Sequence, residues 1–216
     1  MAEKRWSPYV HVTWIRGLIA GDQHCAWSSW FKSHFQYIKR VGPDGDANWL
    51  AQWKAEHAQM VQERAEAWRA GGWTVTVEDQ NKFTVKGQSA TVGGVADIVA
   101  IREDEIRVED CKTGKRRDSD YFQVVLYVLL LPLVDERFKL GKHVSGIVSY
   151  KDGTQREVLA DDAARARPVV FGWIMATGSD VEPSRVPSAH ECRYCDVAEC
   201  PDRIEAAPEG GRTGAF

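Results

Sequence analysis

The chain has 216 residues, 44% of them hydrophobic and 27% charged, which is ordinary globular composition and excludes a disordered chain. Its 28 basic and 31 acidic residues leave a formal net charge of −3, so bulk attraction alone cannot bind nucleic acid and such a partner needs a local basic groove. The longest apolar run, Val124 to Val134, is far shorter than the ~20 residues of a membrane-spanning helix, so we expect no transmembrane segment and no membrane partner.

The amino-terminal residues are typical of a protein that is not secreted. Met1 to Trp6 contain no apolar segment of the kind that a secretory signal carries. We therefore expect a cytoplasmic protein, in which cysteines stay reduced and disulfides are disfavoured.

The first third of the chain is typical of helices. Closely spaced aromatic and bulky apolar residues predict a helix over Ala26 to Ile38, and apolar residues at helical intervals predict another over Asp46 to Ala70. After Gly72 the pattern changes to β-branched residues separated by turn-like breaks. It predicts successive antiparallel strands over residues 73–78, 82–86, 95–102 and 105–112.

The remaining elements predict an α/β fold. They are a helix from about Ser119 to Leu133, strands near His143 to Tyr150 and Thr154 to Leu159, and a helix from Asp161 to about Ala176. This order favours a single domain with a mixed sheet flanked by helices. Its predicted parts are a helical part (1–72), a core (73–177), a cysteine segment (178–205) and a disordered tail (206–216).

The most informative motif pairs two aspartates with a lysine. Asp97, in Gly94-Val-Ala-Asp97, is followed after twelve residues by Asp110-Cys-Lys112-Thr-Gly. Neighbouring strands would bring Asp97 and Asp110 together, and strand alternation puts Asp110 and Lys112 on one face. Two carboxylates suit Mg²⁺ or Mn²⁺, and an ammonium can orient or help deprotonate a metal-bound water. This arrangement is suited to phosphodiester cleavage.

Residues beside this motif have further expected roles. Glu109 is an alternative metal ligand, but its side chain should point to the opposite face of the strand, and Cys111 should pack into the core. On the following helix, Gln123 and Tyr127 stand at i and i+4 and share a face as polar exceptions among apolar residues.

The five cysteines predict a metal centre. The candidate ligands are Cys25, Cys192, Cys195 and Cys200. The last three form a CxxC loop, which lets two thiolates reach one centre, and a Cys-Pro pair typical of iron–sulfur loops. Ligand type alone leaves zinc equally open, with His24 or His190 completing a Cys₃His site.

A basic cluster directly follows the aspartate–lysine motif, at Lys115, Arg116 and Arg117. Phosphates approaching a metal there would meet these side chains, although the same run also fits a solvated turn. An aromatic stripe over Trp27 to Tyr37 could stack unpaired bases, but such stripes more often pack in the core. No sequence-reading module is recognisable, so substrate choice should depend on shape and strandedness.

The order and spacing of Gly94-x-x-Asp97, Asp110-x-Lys112-Thr-Gly and Gln123-x-x-x-Tyr127 resemble the PD-(D/E)xK nucleases of the RecB family. The resemblance implies a restriction-endonuclease-like fold. It implies catalytic roles for Asp97, Asp110, Lys112, Gln123 and Tyr127. It also implies that His57, on an upstream helix, is a metal ligand together with the two aspartates.

The cysteines are similar to those of the iron–sulfur branch of that family. The likeness implies a [4Fe–4S] cluster on Cys25, Cys192, Cys195 and Cys200 that joins the two terminal segments of the chain. The residue after the first cysteine is Ala26, where the family often has proline.

No helicase segment or phosphate-binding loop is found, so the chain is similar to stand-alone members such as CRISPR-associated nucleases of spacer acquisition and their phage relatives. This implies a Mg²⁺- or Mn²⁺-dependent exonuclease on single-stranded DNA or DNA ends, sometimes also an endonuclease. The implied setting is CRISPR adaptation and antiviral defence, or recombination and repair, with integrase or adaptation proteins as partners. The alternative is a DNA-binding scaffold subunit, and the intact motif residues argue against it.

Overall fold

The structure is a computed structural model that describes residues 2–40, 47–138 and 142–205. The predicted tail over 206–216 and the predicted helix start at Asp46 lie outside the described residues. The helices are α1 (Val12–Ala20), α2 (Ala26–His34), α3 (Ala47–Ala70), α4 (Asp118–Leu130), α5 (Ala160–Thr177) and α6 (Ala189–Tyr194). The strands are β1 (Glu3–Lys4), β2 (Tyr9–His11), β3 (Phe35–Gln36), β4 (Thr74–Val77), β5 (Lys82–Lys86), β6 (Thr91–Val95), β7 (Ile98–Arg102), β8 (Glu105–Lys112), β9 (His143–Tyr150) and β10 (Gln155–Val158).

The central sheet has the strand order β10-β9-β8-β7-β4. β8 and β9 run parallel, while the other neighbours in this sheet run antiparallel. A parallel pair requires a long crossover, and α4 supplies it between the two strands. The prediction of a mixed sheet flanked by helices is confirmed, whereas the division into one domain with three parts stays a prediction.

The predicted strand over residues 95–102 is wrong in its extent, because the structure divides it. β6 pairs in a separate sheet of order β2-β6-β5, β7 pairs in the central sheet, and Asp97 lies at the junction. Gly94 of β6 allows the start of α1 to pack closely on this sheet. A Cβ added there would lie 2.8 Å from Cγ2 of Val12, so only glycine lets the start of α1 approach.

Two predicted helices end earlier than expected. α2 ends at His34 rather than Ile38, because Phe35 enters the strand that pairs with β1. α4 ends at Leu130, and a short 3₁₀ turn containing Pro132 follows, since proline has no N–H for a helical hydrogen bond. The sequence pattern of the first third did not predict that residues 9–11 form β2 and that residues 12–20 form α1.

α4 is the buried centre of the fold. Its residues from Val124 to Leu130 are each at most 6% exposed. A helix that is apolar on all sides needs neighbours on all sides, and α4 packs against α1, α5, β8 and β9. Gly146 of β9 permits this, because a Cβ there would lie 2.2 Å from Cγ1 of Val124. Within the described ranges, no helix is long and apolar enough to cross a membrane.

A buried carboxylate holds α3 against the central sheet. Glu109 of β8 is fully buried, and its Oε1 accepts hydrogen bonds from Arg64 Nε at 2.6 Å and from Ser149 Oγ at 2.5 Å. The indole N–H of Trp68 donates to the other carboxylate oxygen. Because Arg64 and Trp68 both belong to α3, this one side chain fixes the helix on the sheet.

We expect Arg64→Ala to lower the free energy of unfolding by about 3 kcal/mol, because it leaves a buried carboxylate without its charged partner. This is the lower end of the range for such pairs, since 31% of the Arg64 side chain is exposed. Urea denaturation measures the change. Glu63→Gln is the matched control, an exposed neighbour on α3 bonded by Gln59, and it should cost less than about 0.5 kcal/mol. Equal losses in the two variants would show that the buried pair does not anchor α3.

Candidate active site

Asp97 lies at the junction of β6 and β7, where hydrogen bonds hold the backbone. The buried Asn81 side chain donates to the Ala96 carbonyl at 3.2 Å, and the Glu78 N–H donates to the Asp97 carbonyl at 2.9 Å. The Asp97 side chain reaches β8, where Oδ2 accepts the Cys111 N–H at 2.7 Å. The two motif segments therefore converge, as their spacing predicts.

Asp110 and Lys112 share one face of β8 and form an ion pair, with 2.5 Å between Oδ2 and Nζ. Gln123 of α4 bridges this pair: its Nε2 donates to Asp110 Oδ1 at 2.8 Å, and its Oε1 accepts from Lys112 Nζ at 3.1 Å. Tyr127 accepts from Gln123 Nε2 at 2.8 Å and donates to the Val95 carbonyl at 2.6 Å. These four predicted side chains form one hydrogen-bonded network.

His57 of α3 joins the cluster through Asp97. Its Nε2 lies 3.3 Å from Asp97 Oδ2, and this hydrogen bond raises the pKa of the imidazole, although burial opposes it. Burial raises the pKa of Asp110 to about 6, with the Lys112 charge lowering it and the Asp97 charge raising it. The structure thus brings the three predicted metal ligands into one electrostatic cluster.

The chemistry of this donor set fits a divalent cation. Carboxylate oxygens are the ligands that Mg²⁺ prefers, and Mn²⁺ also accepts imidazole. As they stand, no group of three or more histidine, cysteine, aspartate or glutamate side chains in the described part of the chain is arranged to hold an ion. At Asp110 the Lys112 ammonium supplies the positive charge instead. Asp97, Asp110 and His57 are the side chains that would hold a cation here.

The neighbours of Asp110 in β8 have the orientations that alternation predicts. Glu109 faces α3, where its bonds to Arg64, Trp68 and Ser149 remove it from the metal site. Cys111 is buried in the core beside α3, and burial raises the pKa of its thiol. The expectation that Cys111 packs in the core is confirmed.

The predicted basic residues line two adjoining shallow cavities beyond the end of β8. Arg116 and Tyr150 border both, and the guanidinium lies 5.3 Å from the centroid of the tyrosine ring. The basic lining residues are Lys115, Arg116, Arg117, Lys151 and Arg156. Sequence reasoning missed Lys151 and Arg156, because they come from the β9–β10 hairpin and reach the site only through strand pairing. We call these five residues the basic groove.

The four predicted cysteine ligands line one cavity of about 190 Å³: Cys25, Cys192, Cys195 and Cys200. Burial raises the pKa of the Cys200 thiol, a backbone hydrogen bond at Asp202 lowers it, and the charges of the other three thiols raise it. Glu191 of α6 accepts the N–H groups of His24 at 2.9 Å and Cys25 at 3.1 Å. These bonds tie the two terminal segments together around the cavity.

The aromatic stripe of α2 packs behind this cavity. Trp27 and Trp30 are buried and pack with Val197 of the carboxyl-terminal segment. Their indole N–H groups donate to the Glu182 side chain and the Ser179 carbonyl, both at 2.7 Å. The expectation that the stripe packs in the core is confirmed for Trp27 and Trp30, whereas Phe31, Phe35 and Tyr37 are half-buried against them.

Comparison with known proteins gives a family and a fold. The sequence profile of the PD-(D/E)XK nuclease superfamily matches residues 22–200. A solved structure described as "Crystal structure of SSO0001" superimposes with a TM-score of 0.50 at 15% sequence identity, covering 93% of this chain and 90% of that one. At this identity the likeness shows the fold alone. No curated protein matches the chain.

We expect Asp97→Asn to abolish Mn²⁺ binding, as measured by isothermal titration calorimetry, because it removes a central carboxylate. Gln123→Leu should weaken binding about 10–100-fold, since it removes the amide that orients Asp110. The matched control is Asp118→Asn, on the same helix and paired with Arg156 at 3.0 Å, and it should bind as the wild type does. Full affinity in Asp97→Asn would place the ion elsewhere.

Proposed function

The chain belongs to the PD-(D/E)XK nuclease superfamily, and on that premise we propose that it is a divalent-metal-dependent deoxyribonuclease. One observation carries the proposal: Asp110, Lys112 and Gln123 form a buried polar network beside Asp97 and His57. Buried charges are costly in free energy, and clusters of them with shifted pKa values are concentrated at catalytic and binding sites. The same network argues against the alternative, a scaffold subunit that only holds DNA.

The proposed mechanism assigns a task to each side chain. Asp97, Asp110 and His57 would hold one or two Mg²⁺ or Mn²⁺ ions, which supply Lewis acidity and a nucleophilic water at neutral pH. Lys112 is held by Asp110 and Gln123, so its remaining N–H can orient the attacking water or a phosphate oxygen. Tyr127 fixes Gln123, and Gln123 fixes the Asp110 carboxylate.

We also propose the substrate and the setting. The basic groove offers contacts to phosphates, which carry no sequence information, so cleavage would be independent of sequence. The motif resemblance supports an exonuclease on single-stranded DNA or DNA ends, with endonuclease activity in some members. The motif resemblance supports a cytoplasmic role in CRISPR adaptation or in recombination and repair, with integrase or adaptation proteins as partners.

We further propose that the cysteine cavity holds a [4Fe–4S] cluster, as in the iron–sulfur branch of the RecB family. One observation supports this: all four thiols line one cavity. A cluster of this type takes one thiolate from each of four cysteines. Zinc is the alternative occupant, because His190 lines the same cavity and could complete a Cys₃His site.

We expect Lys112→Ala to lower the rate of metal-dependent DNA cleavage by about 100-fold or more, because it removes the group that orients the water. The assay is digestion of end-labelled single- and double-stranded DNA, stopped by EDTA and restored by Mn²⁺. Lys86→Ala, at an exposed lysine of β5 outside the basic groove, is the control and should keep the wild-type rate. Undiminished cleavage by Lys112→Ala would refute the mechanism, and an inert wild-type protein would favour the scaffold alternative.

We expect protein purified without air to be brown, with a broad absorption band near ~400 nm from thiolate-bound iron. Cys195→Ala should lose the band, because it removes one of the four ligands. Cys111→Ala is the matched control, since the Cys111 thiol is buried away from the cavity, and it should keep the band. A colourless protein with bound zinc would contradict the cluster.

A further inference from the structure

Three aromatic rings form a row along the first half of α3. Trp49, Trp53 and His57 follow one another at intervals of four residues, so they lie on one face of the helix. The ring centroids of Trp49 and Trp53 are 6.5 Å apart with 15° between the planes, and those of Trp53 and His57 are 5.6 Å apart with 29°. Both pairs have the geometry of offset stacking. We call these three residues the aromatic track.

The two indoles of the track are exposed, although tryptophan is among the most buried residues on average. Within the described residues, Trp49 is 51% and Trp53 is 40% exposed, and Leu50 beside them is 43% exposed. This contrasts with the buried stripe of α2, where Trp27 and Trp30 fill the core. A contiguous apolar patch of this kind on a helix marks an interaction surface.

The track leads into the proposed catalytic centre. Its inner ring, His57, lies 3.3 Å from the Asp97 carboxylate through Nε2. A molecule lying along Trp49 and Trp53 therefore continues to the carboxylates without a gap in the contact surface. Its natural occupant is the molecule that is cleaved there.

The segment of α3 that carries the two indoles has no acidic side chain to repel a polyanion. Residues 47–55 of α3 contain no aspartate or glutamate and one lysine, Lys54. The next acidic residue, Glu56, is paired with Lys151 at 2.6 Å, so its charge is offset. Lys151 also lines the basic groove, so the groove adjoins the track, although Glu56 offsets the charge of Lys151 itself.

We propose that the aromatic track stacks the unpaired bases of a single DNA strand and leads that strand to Asp97, while the basic groove holds its phosphates. The proposal rests on the nuclease function above and names the surface that selects single strands. Every base has a π-face, so stacking on tryptophan is independent of sequence. A duplex hides these faces inside its own stack and cannot use the track.

The first test measures binding of a fluorescein-labelled oligo-dT in EDTA, where no cleavage occurs, by fluorescence anisotropy. We expect Trp53→Ala and Trp49→Ala each to weaken binding about 5- to 150-fold, the range for loss of one stacked base, and Trp53→Phe to recover part of it. The control is Trp6→Ala, an exposed tryptophan outside the track, and it should bind as the wild type does. Circular dichroism establishes that each variant is folded.

The second test separates stacking from general adhesion. An oligonucleotide with three successive abasic sites should bind the wild-type protein more weakly than intact oligo-dT. The double variant Trp49→Ala/Trp53→Ala should not distinguish the two oligonucleotides, because it has no track to lose. An equal loss in both proteins would overturn the proposal.

The outcomes also separate this proposal from the nuclease function. If the wild type cleaves single-stranded DNA while both tryptophan variants bind it normally, the track is refuted and the nuclease function stands. If the variants bind normally but lose self-association in sedimentation velocity, the patch joins copies of this chain and the proposal is again refuted. If the wild type binds through the track but does not cleave, the base-stacking surface stands and the nuclease function fails.

Discussion

The geometry of the candidate active site depends on the buried carboxylate of Glu109, which anchors α3 on the central sheet. Strand alternation sends Glu109 toward α3 and Asp110 toward α4, so two adjacent residues anchor one helix and supply the site. Arg64 carries the anchor on α3, and His57 lies seven residues earlier, about 10 Å along the helix. Because Arg64 is fixed on the sheet, the position of His57 along the axis of α3, and so its distance from Asp97, is fixed as well.

The candidate active site buries polar and charged side chains, which a protein core ordinarily excludes. Asp110 is 1% exposed, and Gln123 and Tyr127 are buried polar residues on the most enclosed helix of the described fold. Asp110, Gln123 and Tyr127 each have a hydrogen-bond partner within the network. Removing one of them would leave the others buried without a partner, so the network is stable only as a unit. The network holds Asp110, Gln123 and Tyr127 in fixed positions relative to one another, and a cation would have to displace the Lys112 ammonium from Asp110 to bind there.

Hydrogen bonds and ion pairs connect the terminal segments to α4, the helix of the candidate active site. Asp22, just before α2, accepts the Ser119 N–H of α4 at 2.9 Å, and Arg16 of α1 pairs with Asp120 at 2.7 Å. Arg117, at the start of α4, lines both the cysteine cavity and the basic groove. A structural change at the cysteine cavity would therefore shift the first turn of α4, the helix that carries the Gln123 side chain.

The sequence by itself determined the features that depend on local periodicity. Asp110 and Lys112 share a strand face because they are two residues apart, and Gln123 shares a helix face with the tyrosine four residues later; α3 ends where glycines interrupt its apolar pattern. Only the tertiary structure decided that β6 and β7 part at Asp97, that Glu109 anchors α3, and that Lys151 reaches the basic groove. The physical reason is that these features depend on which faces meet across long stretches of chain. Packing and strand pairing determine these contacts between distant segments, and local sequence patterns do not specify them.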